Sequence, residues 1–251
     1  MKKRTLLQKA SGTLLAALLG GIVVLGAQRA HGAPVSGQGT WETTLKARDL
    51  AGNAVALNDG SAAFFYDKVL NITWLSDWNV NGGTTWGNAM TWAESLSIGG
   101  YSDWRLPTMT DLGRNVGCDY ANFGTDCGYN VETRTSELAN MFYNTLGNLA
   151  VFDTSGSFQA GSGLNNTAYF KGIQLNAYWF GVEYAPSPSN AWIFVTNGGS
   201  QYYYDKDTAL YAVAVRTGDV LAAQRIPEPG TLALLLSALV LGAVLRRRRA
   251  R

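Results

Sequence analysis

Every aromatic side chain of this 251-residue chain, 29 in all, lies between residues 33 and 224. Eight of them are tryptophans. Rings of that size must be buried in bulk, so the core belongs to this span and the two ends are excluded from it. The span is 192 residues long, one ordinary domain large enough to bury a real core. Glycine is frequent among the rings, a mixture that suits an irregular, loop-rich fold rather than a helical bundle.

The ends are apolar and basic. Lys2-Lys3-Arg4 precede an apolar run from Leu14 to Leu25, and Ala30-His31-Gly32 sets small residues before a cleavage point. This is the pattern of a secretory signal peptide over residues 1–32, cut after Gly32 or after Ala30; a retained anchor is the plainer alternative. At the other end Ile226-Pro227-Glu228-Pro229-Gly230 leads into an apolar run from Thr231 to Leu245. Arg246, Arg247, Arg248, Arg249 and Arg251 follow. As a helix, residues 229–245 would reach about 26 Å against about 30 Å of hydrocarbon, a marginal transmembrane span. The arginines can snorkel and should stay cytoplasmic, leaving the bulk of the chain outside. A single-pass anchor and a processed sorting signal both fit these residues.

Pro227-Glu228-Pro229, the short apolar stretch and the arginine cluster together resemble the PEP-CTERM sorting tail, here residues 225–251. The resemblance implies passage through an export translocon, then transient anchoring in the inner membrane by the C-terminal helix. It further implies cleavage near the Pro-Glu-Pro motif by an exosortase-type enzyme. Delivery is then to the cell surface or the exopolysaccharide (biofilm) matrix of a Gram-negative bacterium.

Charge sharpens this. Between residues 33 and 224, nine basic residues face seventeen acidic ones, a net of −8. Such a surface argues against nucleic acid and against charge-driven binding to anionic lipid. The only histidine, His31, lies in the signal segment. That removes Ser-His-Asp and Cys-His catalysis and every His-ligated metal site from the mature domain. Cys118 and Cys127 are too few for a zinc site and read as a disulfide in an exported chain. A catalytic thiol is the alternative, but no histidine or basic cluster is at hand to lower its pKa.

Along the domain, residues 62–66 and 70–75 read as a hairpin about Asp67-Lys68. Ala89, Trp92, Ala93 and Leu96 share one face of a helix from about 85 to 97, capped by Thr84 and closed by Gly99-Gly100. Pro107-Thr108 is predicted to open a second, short helix, with Asp111 three residues beyond its cap. A third begins at Ser136, burying Leu138, Met141, Phe142 and Thr145 and closing at Gly147. Residues 150–176 are loop-like. Strands are expected over 178–182, 191–195, 201–204 and 211–216, with a turn at Asn197-Gly198-Gly199. The fold class is α+β: two or three short helices, a small antiparallel or mixed sheet and long loops, flanked by the signal helix and the transmembrane tail.

Thr85-Trp86, Ala89-Met90-Thr91-Trp92-Ala93 and Gly99-Gly100-Tyr101-Ser102-Asp103-Trp104-Arg105-Leu106-Pro107-Thr108 form one block of a wider pattern. Tyr178-Trp179, Asn190-Ala191-Trp192-Ile193-Phe194, Gly198-Gly199, Lys206 and Ala214-Val215-Arg216 form a second. Together they resemble the Lcl C-terminal domain family, of unknown function, over about residues 64–220. Two positions depart from it: Ala212 or Val213 stands where many members have an arginine, and Phe180-Gly181 where many have Thr-Ser. The Arg105-Leu106-Pro107-Thr108 block also resembles formylglycine-generating-enzyme-like domains, which share a C-type-lectin-like fold. The resemblance implies adhesion at a cell surface, some members attaching to sulfated polysaccharides. Cys118 and Cys127 stand in the wrong place for formylglycine chemistry.

Within Asp103, Trp104, Arg105 and Pro107 the expected roles are structural: Arg105 pairs with a carboxylate under a helix start and Trp104 fills the core. Trp78 and Asn79, beside Trp74 and Asp77, supply the flat ring and polar groups that a sugar site needs, although a buried tryptophan pair is the commoner arrangement. Side chains alternate along a strand, so in Tyr202-Tyr203-Tyr204-Asp205 either Tyr202 and Tyr204, or Tyr203 alone, should face water. This run is the preferred contact surface. Asp119 with Asp126, or Asp205 with Asp207, are the only pairs worth weighing for calcium, and no calcium motif accompanies them. No metal, cofactor or catalytic residue is assigned. The expectation is a non-enzymatic surface or matrix protein that binds polysaccharide or another surface component. The alternatives are a purely structural protein and, less favoured, an exopolysaccharide hydrolase with two opposed carboxylates.

Overall fold

The computed structural model describes residues 33–113 and 116–221. The signal segment, Pro227, Glu228, Pro229 and Arg246, Arg247, Arg248 and Arg249 lie outside the described residues, and with them both expected terminal helices. Among the described residues no helix is long and apolar enough to cross a membrane.

The first sheet grows from the early hairpin. Strands β3 (Phe64–Asp67) and β4 (Ile72–Leu75) pair antiparallel, with Phe64 opposite Leu75 and Asp67 opposite Ile72. The turn between them is tied by the Asp67 carboxylate, which accepts the N–H groups of Val69 and Leu70. A single helical turn, α1 (Trp41–Thr44), feeds β1 (Leu45–Arg48) onto β3, and β2 (Ala54–Val55) completes that edge. The other edge is β10 (Val215–Thr217), which returns to β4. The strand expected over 211–216 is therefore divided: Tyr211 only bridges Tyr178, and full pairing begins at Val215, in the first sheet.

Helix α2 (Trp86–Ser95) buries Ala89 and Ala93 completely, small residues that let it lie close on the strands beneath. It starts one residue later than predicted, after Thr85, and stops before Leu96, whose backbone is extended. Gly99 and Gly100, at φ of 63° and 84°, turn the chain between Ile98 and Tyr101 instead of capping the helix.

The helix expected at Pro107-Thr108 does not form. Thr110 N–H donates to the Thr135 carbonyl, Glu137 N–H donates to that of Thr108, and Met109 bridges Ser136. Backbone groups already paired with a neighbouring segment are lost to helix formation. The helix at Ser136 does form: the Ser136 hydroxyl accepts the Ala139 N–H, and α3 (Glu137–Ala139) runs on as a π-helical stretch, Asn140–Thr145. Leu138, Met141, Phe142 and Thr145 are buried, as their spacing predicts. Gly147 closes it at φ 66°, where a Cβ would collide with the backbone of Gly39.

The second sheet runs β5-β6-β9-β8-β7. Its strands are β5 (Tyr120–Ala121), β6 (Cys127–Tyr129), β7 (Ala177–Glu183), β8 (Asn190–Val195) and β9 (Ser200–Asp205). The β8–β9 hairpin pairs Asn190 with Asp205 through Val195 with Ser200 about the predicted glycine turn. Trp74, Trp179, Trp192, Tyr178, Phe64 and Phe194 are among the largest fully buried side chains, each worth roughly 1.5–3 kcal/mol on burial. One apolar cluster gathers Trp74, Trp78, Tyr178 and Trp192; another gathers Phe64, Trp104 and Trp179 around α2. The architecture is thus α+β, with few short helices and two small sheets.

Candidate ligand surface

On β9 the alternation of a strand resolves the tyrosine run. Tyr202 and Tyr204 are exposed, at 40% and 50%, while Tyr203 is half-buried. Tyr203 stacks on Tyr184 with ring centroids 3.8 Å apart and planes 9° apart. Tyr202 stacks on Tyr203 at 4.5 Å and 14°. The three rings form a column whose inner end is anchored where Tyr184 meets buried Trp192 edge-on at 5.3 Å. The Tyr203 phenol is raised above its ordinary pKa, first by a hydrogen bond shared with Tyr202 and then by burial.

The loop before β5 braces this column. Cys118 and Cys127 form the expected disulfide. Cys118 N–H donates to Tyr184 Oη at 3.3 Å. Gly117, at φ 126°, lies so close to Pro186 and Tyr184 that a side chain there would displace them. Gly117, Cys118, Asp119, Tyr184 and Pro186 help line an open cleft of about 380 Å³. Asp119 is the only acid among the described residues that line it, so no opposed carboxylate pair spans it.

The neighbouring acids are spent on folding the loop. Asp126 accepts the N–H groups of Leu112 and Asp119, and Asp111 accepts those of Gly113 and Gly117. Burial, more than its bonds, raises the pKa of Asp126. Asp205 accepts the Asp207 N–H in the turn after β9. Among the described residues no group of three or more His, Cys, Asp or Glu side chains is placed to hold a metal ion.

Exposure of rings is not scattered. Among the described residues five aromatics are exposed: Tyr120, Phe123, Phe158, Tyr202 and Tyr204. Tyr120 is on β5, Phe123 is in the disulfide loop, and Tyr202 and Tyr204 are on β9. Phe158 bridges Phe152, whose ring meets Tyr129 of β6 at 5.2 Å. All five therefore belong to the second sheet or to loops tied to it. The other described rings are buried or half-buried.

Trp78 follows the plainer of its two readings, a buried tryptophan pair, and not the sugar site. It is 3% exposed and stacked on Trp74 at 5.3 Å, so it offers no open ring face. Asn79 is exposed in the turn after β4, its N–H held by Asp77. The family block is structural as expected. Trp104 is buried against Phe64, Arg105 makes a bidentate pair with Glu137, and Asp103 pairs with Arg216, which lies over the Tyr101 ring. Pro107 is buried, and its carbonyl accepts the Gly181 N–H. Phe180, Ala212 and Val213, where the chain departs from the family pattern, are all buried.

Sequence reasoning missed Tyr184, Tyr120, Phe123 and Phe158. Only Tyr184 carried a signal: it follows β7 by one residue, where a hairpin brings it back over the next strand. The family model of the Lcl C-terminal domain matches residues 63–216, which include the whole tyrosine column and the disulfide. No curated protein matches the chain.

Proposed function

The chain belongs to the Lcl C-terminal domain family, and from that premise we propose that it is an exported, non-enzymatic protein of the cell surface or matrix. It binds polysaccharide or another surface component through the tyrosine-bearing face of its second sheet. The observation that supports this reading is that all five exposed aromatics among the described residues belong to the second sheet or to loops tied to it. Exposed rings lose nothing by being covered, and the apolar faces of sugar rings stack on them while hydroxyls reach nearby polar groups. The exposure of Tyr202 and Tyr204 favours this over a structural protein without a ligand. A few short helices, two small sheets and long loops fit a C-type-lectin-like domain, although fold alone carries no function. The Pro227-Glu228-Pro229 tail and its arginines, read as a PEP-CTERM signal, supply the route through an exosortase-type enzyme to the surface.

The test is retention of the secreted protein on exopolysaccharide from a producing host. Wild type is expected to be retained. Tyr202→Ala with Tyr204→Ala should weaken retention about tenfold, roughly 1.4 kcal/mol, without shifting the melting temperature. Failure of the wild-type protein to bind the matrix at all would sink the reading.

A further inference from the structure

The tyrosine column has a chemistry of its own, which holds whatever the surface binds. We propose that Tyr184 and Tyr203 are an oxidative cross-linking pair: a one-electron oxidant driven by hydrogen peroxide, such as a haem peroxidase, couples them into a biphenol that ties β9 to the turn after β7.

Their rings meet face to face. The centroids are 3.8 Å apart and the planes 9° apart. The hydroxyls lie together as well, since the Tyr203 phenol interacts with those of Tyr202 and Tyr184. The rings are therefore stacked in register, and the carbons flanking each C–O carbon face their counterparts. Both partners are held in place. Tyr203 pairs with Trp192 across the β8–β9 ladder, Trp192 meets the Tyr184 ring edge-on, and Tyr184 Oη accepts the Cys118 N–H. Tyr202, exposed and stacked on Tyr203, is the ring of the column that an oxidant reaches first. Among the described residues the other tyrosines in ring contact are Tyr178 and Tyr211. They are 5.9 Å apart and tilted by 37°, and Tyr178 is buried. That pair has neither the approach nor the access.

The chemistry balances within the stack. Each phenol gives up one electron and its proton, leaving a neutral radical with spin on the ring carbons that flank the C–O carbon. Two such carbons facing each other join in one C–C bond, which takes both unpaired electrons. The hydrogens on those carbons then move to the oxygens, and both rings regain aromaticity. In all, two electrons and two protons leave the protein, and one hydrogen peroxide accepts them as two waters. The bond forms along the normal to the rings, so a flat stack near van der Waals separation is already the geometry of approach. Unstacked tyrosines must find each other by diffusion, and the held pair is ahead of them by its effective concentration. The product closes a covalent loop between β9 and the segment after β7, as a disulfide would.

The experiment oxidises the full exported protein, at high dilution, with a haem peroxidase and hydrogen peroxide, then digests it with chymotrypsin. Cleavage at Trp192 and Phe194 separates the two tyrosines unless they are bonded. Mass spectrometry should find the joined product, lighter by two hydrogens than its two parts together, in a protein that stays monomeric and gains biphenol fluorescence. The same oxidation in denaturing urea should lower the yield of this product about tenfold or more, because the held geometry is gone. Tyr203→Phe, which keeps a ring in the stack but has no phenol to oxidise, should abolish the product. Unlinked Tyr184 and Tyr203 in the oxidised wild-type protein, an equal yield in urea, or links made only between chains through Tyr120 or Tyr204 would overturn the proposal. None of these results touches the polysaccharide reading, which the retention experiment decides by itself.

Discussion

Asp67 ends β3 with its side chain wholly buried. Its carboxylate accepts the Val69 N–H at 2.8 Å, the Leu70 N–H at 3.2 Å and the Thr145 hydroxyl at 3.3 Å, but no ion pair among the described residues includes it. Burial wins over these bonds and lifts its pKa above the ordinary 3.8. The folded state then holds the proton more tightly than the unfolded chain does. Stability contributed by that proton is full below the unfolded value and is lost as pH rises through the raised one. Asp67→Asn keeps an acceptor for both N–H groups and has no proton to lose. Its melting temperature should therefore gain on wild type as pH rises from about 4 to 7, by about 1.4 kcal/mol for each unit of the shift. Parallel melting curves across that range would show that Asp67 keeps ordinary acidity. The sequence placed Asp67 at a hairpin turn, which is correct. It could not reveal the burial, because Thr145 arrives from a helix 78 residues away.

Local signals served the elements well where their partners were also local. The β3–β4 hairpin, the Ser136 cap and the β8–β9 turn all stand where residue type and spacing put them. The Pro107-Thr108 helix failed because its backbone is claimed from 25 to 29 residues away. Glu137 fastens that claim. Its Oε2 accepts from Arg105 and from the Thr108 N–H, both at 2.8 Å, and its Oε1 accepts from Arg105 at 2.7 Å. One carboxylate thus joins the 105–110 segment to the start of α3 and sits favourably at a helix N-terminus. Glu137→Gln should cost about 1–2 kcal/mol by weakening charge-assisted bonds. Glu137→Ala should cost about 3 kcal/mol by stranding a half-buried arginine. Urea unfolding should show both as lower midpoints at unchanged slope. A variant as stable as wild type would mean that the pair is solvated and idle.

The folded domain is larger than the family match. Strands β1 and β2, at residues 45–55, precede residue 63 yet complete the first sheet. Arg48 on β1 then pairs with Asp219, beyond the other end of the match. The proposed ligand surface was only half legible. Strand alternation exposed Tyr202 and Tyr204, but the column with Tyr184 depends on registers across β7, β8 and β9 that no local pattern encodes. The proposed address rests on linear patterns alone, a signal peptide and a sorting tail that lie outside the described residues. A processed chain should therefore begin after Gly32 or Ala30, end near Pro227-Glu228-Pro229, and lack every peptide containing Arg246 to Arg249. Mass spectrometry of the surface fraction from a polysaccharide-producing host measures both ends at once. Removal of the tail would matter to the binding reading as well. Of the 20 basic residues 11 lie outside residues 33–224, so cutting both ends turns a chain of net +2 into an acidic domain. If the intact polypeptide, arginines included, is recovered from the inner membrane, the tail is a permanent anchor. The tyrosine face would then work within reach of the membrane, and the matrix address would have to be given up.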